Sequence, residues 1–126
     1  MLTQARVLLK KFYGYDDFRP GQDEIIASLL SGSDTVAIMP TGAGKSICFQ
    51  IPALLFSGIT LVISPLISLM KDQVDALGVQ GIPATYINST LSSATLRRRL
   101  YDISQNKYKL IYIALTRPKN RVIFLT

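Results

Sequence analysis

The sequence predicts an α/β fold built on a mainly parallel sheet with helices on both faces. Three observations predict it. Short, β-branched apolar runs alternate with longer segments whose apolar residues recur at helical spacing. The links between them are short, so successive strands are joined by right-handed crossovers. A glycine-rich turn also lies between the first apolar run and the helix after it, where such folds place a ligand at the carboxyl end of a strand.

The elements follow in order. Thr3 is placed to cap a first helix running to Phe12, with Ala5, Leu8, Leu9 and Phe12 on one face. Gly14 to Phe18 is a loop rich in aromatic and acidic residues. Pro20 suits the first turn of a second helix, where its missing N–H would have no partner anyway. Ile25, Ile26, Leu29 and Leu30 form that helix's apolar stripe, and Ser31-Gly32-Ser33 ends it. Thr35 to Met39 reads as a short buried strand. Gly44 starts a helix through Phe56, which Pro52 should kink or end. Ile59 to Ile63 is continuous enough in branched residues for a parallel strand covered on both faces. Pro65 opens a further helix with Leu66, Leu69, Met70, Val74 and Leu77 on one side. Ala84 to Ile87 is a third strand, and Ser92 or Ser93 caps a helix to Ile103. Leu110 to Ala114 and Val122 to Leu125 are the fourth and fifth strands.

The chain has 126 residues, 48% of them apolar. That length suits one domain able to bury roughly two thirds of its unfolded surface, and that composition argues against disorder. No apolar run approaches the roughly 20 residues of a membrane span. The N-terminal stretch MLTQARVLLKKFYGYDD is too short in apolar residues and too charged for a signal peptide. The chain therefore reads as cytoplasmic, nucleoid-associated if bacterial, with no membrane partner. Cys48 is the one cysteine and there is no histidine, so an internal disulfide and a zinc site are both excluded. Cys48 reads as a small core residue. Asn88-Ser89-Thr90 matches a glycosylation acceptor, a chance match without a secretory signal. The net charge of +6 gathers at Lys10-Lys11, Arg97 to Arg99, Lys107 and Lys109, and Arg117 to Arg121. It favours polyanionic partners or serves solubility alone.

The turn after the first predicted strand reads Met39-Pro40-Thr41-Gly42-Ala43-Gly44-Lys45-Ser46. The phosphate-loop pattern fails only at its first position, where Met39 replaces glycine. Gly42 and Gly44 let backbone N–H groups turn inward around phosphate oxygens. The following helix points its positive end at the same anion. Lys45 would reach the β- and γ-phosphates, and Ser46 would offer its hydroxyl to Mg²⁺.

Further segments, in order, resemble the RecQ family of superfamily 2 helicases. Phe12-Tyr13-Gly14-Tyr15 followed by Phe18-Arg19-Pro20-Gly21-Gln22 is similar to its adenine-recognition motif. Ser64-Pro65-Leu66-Ile67-Ser68-Leu69-Met70-Lys71-Asp72-Gln73-Val74 resembles its next motif, which Ala84 through Leu91 continues. The resemblance implies a P-loop NTPase lobe of RecA-like type, present in part, with ATP and Mg²⁺ as cofactors. It implies a helical segment 1–33 carrying the adenine motif and a partial ATP-binding lobe over 34–126. Tyr15, Arg19 and Gln22 would contact adenine, while Thr41, Gly42, Ala43, Gly44, Lys45 and Ser46 would hold the phosphates. Lys45 would act in catalysis and Ser46 at the metal. Ser64, Ser68, Lys71, Asn88 and Ser89 would contact the backbone of a DNA partner, a single strand or duplex junction; each also suits a helix cap or solvated turn. Arg97 to Arg99 read as a solvated helix face.

The likeness breaks after Ala114. The family's Asp-Glu-x-His box, which holds the metal and positions water, is absent, and Asp72, Asp75 and Asp102 fall at unrelated helix positions. Instead the last fifteen or so residues resemble the final motif of superfamily 1 helicases, which would nominate Arg117 beside the γ-phosphate. A terminal strand with a basic loop is the preferred reading there. The family implies 3′–5′ DNA unwinding driven by ATP hydrolysis. This chain is expected to bind ATP·Mg²⁺ without unwinding DNA alone. The alternative is a non-catalytic nucleic-acid-binding or regulatory fragment.

Overall fold

The computed structural model of the chain describes residues 2–40 and 44–114. The first helix, α1 (Leu2–Tyr13), has no internal Gly or Pro, and Lys10 and Lys11 sit favourably at its negative end. It begins one residue before Thr3, which therefore lies in the first turn rather than capping it. Ala5 and Leu9 are fully buried, as their spacing predicts.

The second helix, α2 (Gln22–Leu30), starts later than Pro20. Pro20 occupies a turn closed by the Gln22 N–H donating to the Arg19 carbonyl at 3.1 Å. Gly21 then takes φ 90°, a left-handed conformation that a helix cannot pass through. Asp23 and Glu24 follow against the positive end of the helix. The third helix, α3 (Lys45–Leu55), runs three residues past Pro52. The proline removes only one ladder bond, and the Phe56 N–H closes the end on the Pro52 carbonyl at 2.9 Å. α1, α2 and α3 share one apolar cluster of Ala5, Leu9, Ile26 and Ile51, with Leu8, Phe18, Leu30 and Leu55 around it.

The remainder alternates strand and helix: β1 (Thr60–Ser64), α4 (Ile67–Val79), β2 (Ala84–Ile87), α5 (Ser93–Ser104) and β3 (Leu110–Ala114). The three strands are parallel in the order β1-β3-β2. Thr60 aligns with Leu110 and Ser64 with Ala114; Ala84 also aligns with Leu110. Because side chains alternate along a strand, this register puts Val62, Ala84, Tyr86, Leu110, Tyr112 and Ala114 on one face. Phe49, Ala53 and Leu54 of α3 and Met70, Val74 and Leu77 of α4 cover that face. Burying each of the large residues stabilises the fold by roughly 1.5–3 kcal/mol. Ser92 caps α5, its Oγ accepting the Thr95 N–H at 3.2 Å.

Two further expectations are corrected. Thr35 to Met39 does not form a strand: it pairs with none of the three strands, and Val36 and Ile38 are 93% and 96% exposed. Both edges of β3 are occupied by β1 and β2, so only the outer edges of those two strands could take it. β1 is likewise not covered on both faces. It alternates half-buried and exposed positions, and Leu61 and Ile63 face outward. The expected strand at Val122 to Leu125 lies outside the described residues. Among the described residues no helix is long and apolar enough to cross a membrane.

Candidate functional site

Gly44 precedes α3 at φ 78°, ψ 42°, a left-handed conformation that glycine adopts without steric cost. Among the described residues no side chain caps this helix start, and its first turn carries no acidic residue. Lys45 opens the helix instead, exposed and with no ion-pair partner among the described residues. A cation there opposes the helix dipole at a cost of about 0.3–1 kcal/mol. Ser46 follows, half-buried. Thr41, Gly42 and Ala43 lie outside the described residues.

Gln22 is 2% exposed and bridges the starts of α2 and α3. Its Oε1 accepts the Arg19 N–H at 2.8 Å, and its Nε2 donates to the Gly44 carbonyl at 3.1 Å. A Cβ on residue 44 would meet that Nε2, the far end of a flexible side chain, which would have to move aside. Tyr15, Asp17, Arg19, Gln22, Gly44, Lys45, Ser46 and Ile47 line one cleft of about 440 Å³. That volume falls in the range of small-molecule sites. The described members of the expected base-recognition and phosphate-binding sets thus meet in one place.

Sequence reasoning missed two members of this lining, Asp17 and Ile47. Asp17 also lines the cleft, and its carboxylate accepts the Phe18 N–H at 2.8 Å and pairs with Arg6 Nε at 3.2 Å. The backbone bond first, then Arg6, hold this carboxyl below its ordinary pKa. The acidic loop was visible in the sequence; its partner on α1, eleven residues earlier, was not. Cys48 is buried in α3 as expected, and burial pushes its thiol pKa up.

The expected DNA-contacting residues do not line the cleft. Ser64 ends β1 and Asn88 and Ser89 follow β2, so all three lie at the carboxyl edge of the sheet. Ser68 and Lys71 are on the first two turns of α4. Each polar group except those of Ser68 and exposed Ser89 already has a local partner. Ser64 Oγ accepts the Leu66 N–H at 3.1 Å, and Asn88 Oδ1 accepts the Thr90 N–H at 2.9 Å. The Asn88 amide lies 3.8 Å from Met70 Sδ on α4. Lys71 pairs with Asp75 at 2.7 Å, which raises its pKa. Arg97 and Arg98 are exposed as expected, but Arg99 is not solvated in the same way. Its guanidinium donates to the Tyr86 carbonyl at 2.6 Å and stacks 4.3 Å from the Tyr86 ring centre, pinning α5 to β2. Asp72, Asp75 and Asp102 lie on α4 and α5, and the described residues contain no cluster of three metal-ligating side chains. Arg117 lies outside the described residues.

The chain resembles known proteins in sequence. A DEAD/DEAH box helicase family profile matches residues 19–123. The ATP-dependent DNA helicase RecQ of Bacillus subtilis is 57% identical over 114 residues, covering 90% of this chain and 19% of that protein. RecQ of a Synechocystis species is 48% identical, covering 84% of this chain and 22% of the relative. The ATP-dependent DNA helicase Q5 of Mus musculus is 45% identical, covering 87% and 12%. The chain belongs to the DEAD/DEAH box helicase family. Within that family its sequence is of the RecQ type, from the N-terminal part of the first motor lobe. It spans about a fifth of the length of the bacterial RecQ relatives.

Proposed function

We propose that this chain is the nucleotide-binding part of a RecQ-type DNA helicase and takes ATP·Mg²⁺ in the cleft between α2 and α3. One observation carries the reading. Among the described residues no side chain caps the positive end of α3 and no acidic residue stands in its first turn, while Lys45 adds a further cation beside a buried glutamine. Folding alone gains nothing from concentrating positive potential there; an anionic ligand does.

The residues divide the nucleotide between them. Gly44 through Ser46 present backbone N–H groups to phosphate, with Thr41, Gly42 and Ala43 completing the loop. Lys45 supplies a mobile cation to the β- and γ-phosphates, and Ser46 one oxygen to Mg²⁺, whose remaining ligands would come chiefly from phosphate and water. Tyr15 offers an aromatic face to the base, and Arg19 a guanidinium to base or phosphate. Gln22 carries the donor and acceptor that the adenine edge requires. To read the base it would exchange its bonds to Arg19 and Gly44. In this division residues 1–33 are the adenine-recognition segment, docked on a lobe that begins at 34. Bound Mg²⁺ would supply charge neutralisation for phosphoryl transfer.

In the longer helicase this lobe would serve 3′–5′ unwinding of DNA in the cytoplasm or nucleoid, with Ser64, Ser68, Lys71, Asn88 and Ser89 along the strand's backbone. Calorimetric titration with a non-hydrolysable ATP analogue and Mg²⁺ tests the reading. Binding by the parent that Lys45→Ala abolishes supports it. Lys45 is exposed and opposes the helix dipole, so the variant should be at least as stable as the parent, by up to about 1 kcal/mol. Equal binding by both proteins refutes the role of Lys45. Salt-dependent DNA binding indifferent to ATP, from the +6 charge, would favour a non-catalytic nucleic-acid module.

A further inference from the structure

Between the nucleotide cleft and the sheet lies a short buried polar chain that the proposed function does not use. The Tyr13 hydroxyl donates to Gln50 Oε1, and Gln50 Nε2 donates to the Tyr112 hydroxyl at 3.1 Å. Gln50 is 5% exposed and Tyr112 2%. Phe49 packs edge-on to Tyr112 with ring centres 6.3 Å apart. The surroundings are otherwise the apolar residues of the two core clusters. A buried amide is tolerated there only because both its ends are bonded. A leucine would fill the position without that requirement.

The three residues belong to three elements that matter to the cleft. Tyr13 ends α1, and one glycine later the chain enters the loop that carries Tyr15 and Arg19. Gln50 is on α3, five residues after Lys45, about 7 Å along the axis. Tyr112 is in the middle of β3, the central strand. At its mouth the cleft is tied by Gln22 spanning Arg19 and Gly44. The Tyr13–Gln50 bond ties the same two halves a second time, from behind.

We propose that Gln50 is a positioning residue that, through Tyr13, holds the base-reading loop in register with the phosphate-binding helix, while its bond to Tyr112 fixes that helix to the sheet. The inference rests on the ATP-binding reading of the cleft. Without the Tyr13 bond the base half of the site loses its fixed distance from the phosphate half. Adenine then adds less to affinity, and the phosphate contacts are untouched.

The test compares a non-hydrolysable ATP analogue with inorganic tripolyphosphate, each with Mg²⁺, on the full chain and on Tyr13→Phe, Tyr112→Phe and Gln50→Leu. The two phenylalanine variants keep their ring volumes and each delete one hydroxyl of the same chain, so both should fold. Tyr13→Phe is expected to weaken the ATP analogue about fivefold, the worth of one net hydrogen bond, while leaving tripolyphosphate unchanged. Tyr112→Phe should leave the ratio of the two affinities at the parent value. Gln50→Leu, if folded by its melting transition, should lower the ratio as Tyr13→Phe does. An unchanged ratio in Tyr13→Phe, or an equal fall for both ligands, overturns the inference. A parent chain that binds the ATP analogue no tighter than tripolyphosphate also overturns it, leaving the phosphate site intact. A parent that binds neither ligand overturns the ATP reading and this inference together.

Discussion

Gly44→Ala would place a methyl group where two constraints meet, and the constraints are separable. The first is conformational. At φ 78° an alanine pays about 1–2 kcal/mol for the left-handed backbone. The second is the collision with the Gln22 amide. That amide must move, giving up its bonds to the Gly44 carbonyl and the Arg19 N–H, at about 1 kcal/mol each. The single variant should therefore lose about 3 kcal/mol, enough to lower the melting temperature of a chain this size by roughly 10 °C. In a Gln22→Ala background the collision partner is gone and its two bonds are already lost. Gly44→Ala should then cost only the backbone term. Urea unfolding of the parent, both single variants and the double variant gives the coupling between the two sites, expected at about 1–2 kcal/mol. Simple additivity, with both single variants destabilised, would show that Gln22 does not rest against Gly44 and would break the bridge on which the cleft's geometry depends.

Two further outcomes follow. Burial raises the pKa of Cys48, Tyr13 and Tyr112, whereas the unfolded chain ionises such groups near their ordinary values of about 8.5 and 10. Above those values the unfolded state holds fewer protons, so the contribution of these three groups is constant below roughly pH 8.5 and falls above it, by at most about 1.4 kcal/mol per pH unit for each group; a melting temperature that stays level from about pH 8.5 to pH 11 would contradict this. Lys71→Ala should weaken binding to a single-stranded oligonucleotide and reduce the slope of affinity against salt by about one, read by fluorescence anisotropy, while an unchanged slope would remove Lys71 from the proposed DNA surface.

Local signals were legible in the sequence. The bounds of β2 and β3 matched their apolar runs, and Ser92 was one of the two caps the sequence offered, because its bond is to a residue three positions away. Six members of the cleft were legible too, because the adenine-recognition and phosphate-loop patterns are contiguous: Tyr15, Arg19, Gln22, Gly44, Lys45 and Ser46. Interactions that depend on distant partners were not. Thr35 to Met39 has strand composition, but a strand exists only when a neighbour accepts its ladder, and none of the three does. Gln50 carries no local signal of its role, because its partners lie 37 and 62 positions away in the chain. Arg99 sits in a run of three arginines, and only the packing of α5 on β2 separates it from the other two. Pro52 illustrates the weakness of local rules against packing. The burial of Pro52 and its neighbours carries α3 through the proline and on to Leu55.

The proposed base-reading and phosphate-binding residues line one cleft, and backbone amide resonances report their joint use directly. Titrating the isotopically labelled chain with a non-hydrolysable ATP analogue and Mg²⁺ should shift the amides of Tyr15, Arg19 and Gln22 together with those of Gly44, Lys45 and Ser46. The amides of Lys107 and Lys109, at the opposite end of the strands, should stay still. Shifts confined to the basic surface of α5, or scattered without the Gly44 to Ser46 amides, would contradict the account.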